Sequence, residues 1–122
     1  MNKYVPRYFS RKELECPCCG KCEMDDNFLM LLDRAREFAG IPFIITSGFR
    51  CERHNKEVGG VPDSAHVRGK AVDILADNSR RRYIILNSLI RAGFNRFGIA
   101  KTFIHVDNDE TKPHGVVWLY DK

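Results

Sequence analysis

An α+β fold, with two main helices packed on a largely antiparallel sheet, is what this sequence predicts. Three observations carry that reading. Two segments place apolar residues at steps of three and four between a capping side chain and a glycine, which is the helical period. Five short runs rich in β-branched and aromatic residues read as strands. The last three of those runs are joined by connections too short for crossovers, which favours antiparallel pairing.

Residues 1–24 read as an irregular, cysteine-containing segment belonging to the same domain as residues 25–122. From Asp25 or Asp26, a natural N-cap, the series Phe28, Leu31, Leu32, Ala35 and Phe38 predicts a helix that stops at Gly40. Residues 42–47, PFIITS, then form a buried strand that delivers SGFR at its carboxyl end. A short helix over 51–58 and a Gly, Pro and Asp loop over 59–64 follow. Residues 70–76, KAVDILA, read as a strand. A second helix starts at Asn78 or Ser79, carries Tyr83, Ile84, Leu86, Leu89 and Ile90 on or near one face, and ends at Gly93. Residues 94–100, 102–107 and 115–120 complete the strands.

A chain of 122 residues has room for one main core. With 43% hydrophobic and 30% charged residues, the composition argues against extensive disorder. The net charge of +4 suits an anionic partner such as a cell-wall polymer, but the basic residues are scattered and their nearest cluster, Arg80 to Arg82, reads as a solvated helix face. Nucleic-acid binding is not expected, because no basic stripe interleaved with aromatics is present. The first residues, MNKYVPRYFSRKEL, are polar where a secretory signal needs an apolar run of about 7 to 15 residues, and no stretch approaches the roughly 20 of a membrane span.

Four of the five cysteines crowd into CPCCGKC as Cys16, Cys18, Cys19 and Cys22, with Cys51 standing alone. An odd count argues against a simple disulfide framework. A second, structural zinc at Cys16, Cys18, Cys19 and Cys22 is not favoured, since adjacent Cys18 and Cys19 do not fit paired C-x2-C knuckles. A structural metal, a disulfide that includes Cys51 and reduced thiols all stay open.

The stretch SAHVRGKAVDI raises the functional question. On a strand, Asp73 faces away from Val72 and Ile74, and a carboxylate there is costly to bury unless it is paired, hydrogen-bonded or bound to a cation. His66 precedes it across the flexible Gly69, and His105 alternates with Ile104 and Val106 on a later strand. Two imidazoles and one carboxylate make a good donor set for zinc, with a fourth position left for water.

SGFRCERHNKEVGGVPDSAHVRGKAVDI followed by FIHVD resembles the zinc-dependent D-alanyl-D-alanine carboxypeptidase family in its short, single-domain branch. That family carries S-G-[FY]-R, then S-x-H-x-x-G-x-A-x-D, then a late histidine on a strand, and all three parts occur here in order. The resemblance implies the scaffold shared with hedgehog signalling domains, with the zinc site in a cleft on one sheet face. It implies His66, Asp73 and His105 as ligands of one catalytic zinc, Arg50 as the group that holds a substrate carbonyl or its developing charge, and Ser64 as a substrate contact or loop brace. It further implies metal-assisted hydrolysis of amide bonds in peptidoglycan stem peptides, acting at the bacterial cell wall or as a phage product.

The general base departs from the family pattern. Relatives carry an acid three residues before the last zinc histidine or a histidine two before it, where this chain has Thr102 and Phe103. Asp107, two residues after His105 on the same strand face, is the nearest substitute; it either takes the proton or supports His105. The missing groups leave room for a second class, a non-catalytic zinc-binding module. His54 reads as an exposed or capping histidine or as one lining the cleft, His114 as solvent-facing, and Trp118 with Tyr120 as core or as a stacking wall for substrate.

Overall fold

The structure is a computed structural model that describes residues 4–120; the outermost residues of both predicted segments, 1–3 and 121–122, lie outside the described residues. Among the described residues, five strands form one sheet in the order β1-β2-β4-β3-β5, accompanied by four helices. The two long helices are α2 (Asp26–Ala39) and α4 (Ser79–Ala92). Asp25 caps α2 by accepting from the Phe28 N–H, and Asn78 caps α4 by accepting from the Arg81 N–H. Gly40 and Gly93 end them.

Their buried faces differ in part from the expected ones. On α4 the core side is Ile85, Ser88, Leu89 and Ala92, while Tyr83 and Ile90 point to solvent. On α2 Leu29 joins Phe28, Leu32 and Ala35 in the core, and Phe38 is exposed. Either choice of stripe satisfies the period. Contact with the partner helix selects one.

The strands are β1 (Ile45–Ser47), β2 (Ala71–Leu75), β3 (Arg96–Ile99), β4 (Phe103–Asp107) and β5 (Val116–Leu119). On one sheet face Val72, Ile74, Phe97, Ile104 and Val106 pack against both helices, and Phe28 meets Phe94 edge-on at 5.4 Å. Burying each large apolar side chain there contributes about 1.5–3 kcal/mol. β1 to β4 pair antiparallel as expected.

β5 departs from the expectation by running parallel to β3. Both edges of β4 are taken by β2 and β3, and β5 adds to the outer edge of β3. Because β4 finishes beside the start of β3, the chain returns at that end, where the Gly115 and Val116 N–H groups donate to Asn95 O at 2.9 and 3.0 Å. The strand direction follows from that anchorage.

The N-terminal segment is less irregular than its composition implies. A short helix, α1 (Arg11–Leu14), begins at a capping box in which Ser10 and Glu13 satisfy each other's backbone N–H. Buried Asp33 on α2 accepts from the Tyr4 hydroxyl and from the Arg7 and Tyr8 N–H groups, which ties the segment to the core. The remaining helix, α3 (Glu52–Glu57), follows Arg50 directly and has Cys51 as its N-cap.

Candidate metal centre

The polar face of the sheet is assembled by register. Ser47 pairs with Asp73, Asp73 with His105, His105 with Gly98, and Gly98 with Trp118, so one row across all five strands carries these residues side by side. Residues that pair directly share a sheet face. Asp73, His105 and Trp118 therefore all project away from the helices.

His66 reaches this row from the loop before β2. Gly69 makes that approach possible: its φ is +72°, and a Cβ there would lie 1.9 Å from Glu23 O. Ser64 braces the same loop, its Oγ accepting from the His66 N–H at 3.2 Å. His66, Asp73 and His105 are all buried, and one donor atom of each lies within 4.8 Å of the others.

The outward hydrogen bonds fix which nitrogens face inward. His66 Nδ1 lies 2.8 Å from Gly48 O, a carbonyl that can only accept, so Nδ1 carries a proton and donates. Nε2 then points at Asp73 Oδ1, 3.2 Å away. His105 Nε2 likewise lies 2.7 Å from Asp107 Oδ2, leaving Nδ1 to face the same Asp73 oxygen at 3.0 Å. Neutral imidazoles in these tautomers turn two nitrogen lone pairs and a carboxylate oxygen toward one point.

Such a convergence of acceptors requires positive charge between them. In the metal-free chain protons supply it: burial opposes charge on His105, yet bonds to Asp107 and Asp73 outweigh that and raise its pKa above the usual imidazole range. Burial also opposes charge on Asp73, but His105 and His66 hold it well below the usual carboxylate range. The separations of 3.2 and 3.0 Å approach the ~3.4 Å edge of a tetrahedron with metal–ligand bonds of ~2.1 Å. The donor set fits zinc.

A comparison with family models agrees: the model described as Peptidase M15 matches residues 7–107. The chain belongs to the peptidase M15 family. That family is one of zinc-dependent metallopeptidases, and the matched segment contains all three donors. A comparison with curated proteins finds no match.

In this M15 chain the donors open onto a cleft of ≈ 460 Å³ whose lining includes Arg50, Ser64, Phe103, Lys112, Trp118 and Tyr120. Arg50 is held from three sides: Nε donates to Ser47 Oγ at 3.1 Å, Nη1 to Asn55 Oδ1 at 3.1 Å, and Nη2 lies 3.5 Å from Asp73 Oδ2. Trp118 and Tyr120 belong to the cleft rather than the core. A Cβ on Gly98 would lie 2.5 Å from both their rings, so this glycine lets the indole cross β3 and stand 5.6 Å from His105.

Asp107 is 1% exposed and fully engaged. Oδ2 holds His105, while Oδ1 accepts from Arg96 Nε at 2.7 Å and from the Asp109 N–H at 3.1 Å. Burial opposes its charge, and His105 with Arg96 lowers its pKa despite that. Arg96, which sequence reasoning passed over, also stacks on Trp118 at 5.1 Å and donates to Pro113 O. Only sheet register, pairing β3 with β4, could reveal that role. His54 lies beside Lys12 and Glu13 outside the cleft, His114 is exposed, and Thr102 is exposed as well.

The cysteines divide differently from the sequence expectation. Cys16, Cys18, Cys19 and Cys51 bring their sulfurs within 4.8 Å of one another. Cys22 is not in that group; it packs against the core beside the N-terminal segment.

Proposed function

We propose that this M15 peptidase hydrolyses amide bonds in peptidoglycan stem peptides, including bonds to D-residues, as a carboxypeptidase or a closely related endopeptidase. The observation that carries the reading is the convergence of His66 Nε2, His105 Nδ1 and an Asp73 oxygen at the wall of an open cleft. A zinc ion bound there supplies Lewis-acid chemistry, polarising a carbonyl and lowering the pKa of water from about 15.7 toward roughly 7. His66, Asp73 and His105 are the residues that would hold it.

The chain's own residues do the positioning. Arg50 presents its guanidinium beside the donors, where its fork suits a substrate carbonyl, the charge that develops on it, or a terminal carboxylate. Lys112 joins Arg50 and Arg96 as a third cation in the lining, in keeping with an anionic wall peptide. Trp118, Tyr120 and Phe103 form an aromatic wall of the cleft, suited to packing against apolar parts of the peptide. Ser64 braces the His66 loop through its hydroxyl.

Asp107 acts by holding His105. With Oδ2 on the imidazole and Oδ1 on Arg96 and a backbone N–H, it keeps His105 in the tautomer that turns Nδ1 inward. The same engagement favours a second reading, a non-catalytic zinc-binding module, because Asp73 and Asp107 are the only carboxylates in the described cleft lining. Mass spectrometry of defined muropeptides, incubated with zinc-loaded or chelator-treated protein, separates the two. Metal-dependent cleavage supports the peptidase and identifies the bond; an intact muropeptide set with folded, zinc-loaded protein supports the module.

A further inference from the structure

We propose that Cys16, Cys18, Cys19 and Cys51 bind a second zinc ion, a structural one, which fastens the N-terminal segment to the residue that follows Arg50. The sulfur positions carry it first. Cys16 Sγ lies 3.6 Å from both Cys18 Sγ and Cys51 Sγ, and Cys18 Sγ lies 3.2 Å from Cys51 Sγ. A tetrahedron with Zn–S bonds of about 2.3 Å has edges of about 3.8 Å, whereas a disulfide needs its sulfurs at about 2.05 Å. One sulfur closing on another would strand the remaining two. One metal satisfies all four.

The local backbone is arranged as thiolate ligands require. The Cys51 N–H points at Cys16 Sγ at 3.5 Å, and the His54 N–H points at Cys51 Sγ at 3.4 Å. Residues 16–21 fold into a tight loop closed by Gly20 N–H to Cys16 O at 2.8 Å and Cys16 N–H to Lys21 O at 2.7 Å. That loop brings adjacent Cys18 and Cys19 to the same centre, and Cys51 supplies the fourth sulfur in place of Cys22. Binding zinc releases the thiol protons to solvent and leaves a site with two surplus negative charges. Arg53, with Nη2 3.9 Å from Cys18 Sγ, stands where it offsets them.

Four sulfur donors leave no open position, so this centre is suited to holding chain rather than to turnover. What it holds matters to the cleft. Cys51 joins Arg50 to α3, and one residue before Arg50 the Phe49 N–H bonds Leu14 O at 2.8 Å. The metal and that backbone bond clamp both flanks of Arg50 to the N-terminal segment.

The test is zinc stoichiometry by native mass spectrometry on protein purified under reducing conditions with zinc. About two equivalents are expected in the unmodified chain, about one in Cys18→Ser, Cys51→Ser or His66→Ala, and about two in Cys22→Ser. If the cysteine variants fail to fold, cobalt titration of the unmodified chain replaces them. Intense thiolate-to-cobalt charge-transfer absorption that persists in His66→Ala supports the site. A single equivalent in the folded chain that is lost in His66→Ala overturns it, as does a mass deficit from a disulfide between any of these cysteines under reducing conditions.

Discussion

The His66, Asp73 and His105 cluster and the cysteine cluster are joined by one stretch of chain, residues 47–51, yet they are built by opposite means. The first draws on the sheet: its donors sit on paired strands and a braced loop, and each histidine's outer nitrogen is spoken for by Gly48 O or Asp107. The second draws on a tight loop and a helix cap, with backbone N–H groups and Arg53 turned toward sulfur. Mixed nitrogen and oxygen donors over a cleft leave room for a reactant. All-sulfur donors on a closed loop do not.

The largest break in this contrast comes from Asp73→Ala. Its carboxylate serves both histidines and faces Arg50, so the variant should lose the cleft metal and all turnover while the sulfur-bound equivalent stays, as metal analysis of the folded variant would read. Asp107→Asn should act more mildly. If Asp107 only orients His105, zinc affinity and activity fall together by roughly 10–100-fold. Unchanged affinity with turnover abolished would instead make Asp107 the base, and a zinc titration beside a rate measurement distinguishes them.

Gly98→Ala tests the cleft wall without touching a donor. The new Cβ would clash with Trp118 and Tyr120, so a cost of about 1–3 kcal/mol in urea unfolding is expected, with a raised KM as the indole is displaced and zinc content unchanged. Unaltered KM would remove Trp118 from substrate contact.

The smallest effect concerns pH in the metal-free chain. Asp73 and Asp107 have depressed pKa values, so their contribution is fully present above the unfolded value near 3.8 and is lost as pH falls through their folded values. His105 is raised, so its contribution is fully present below about 6.5 and is lost as pH climbs through its folded value. Stability from these groups should therefore plateau between about 3.8 and 6.5, which urea midpoints across pH would check, and His105→Gln should remove the alkaline decline. Zinc should flatten that limb too, because it replaces the proton.

How much of this was legible depends on how local the cause is. The ends of α2 and α4 were readable because Asp25, Asn78, Gly40 and Gly93 act on their own neighbours. The capping box of α1 is equally local, S-x-x-E in the sequence, and marks the start of that helix. His66, Asp73 and His105 were readable through the ordered motif they share with a known family, and the alternation on β2 and β4 already turned Asp73 and His105 away from the core. Their common centre was not readable from alternation alone.

Sequence by itself determined the helical periods, the caps, the turn glycines and the chemistry of the donors, since those depend on residues a few positions apart. Tertiary structure decided that Arg96 braces Asp107, that Gly98 admits Trp118 to the cleft, that β5 runs parallel to β3, and that Cys51 rather than Cys22 completes the sulfur cluster. Each joins residues whose separation along the chain says nothing of their separation in space. Strand register and loop closure settle that distance, and they are set by packing the whole chain at once.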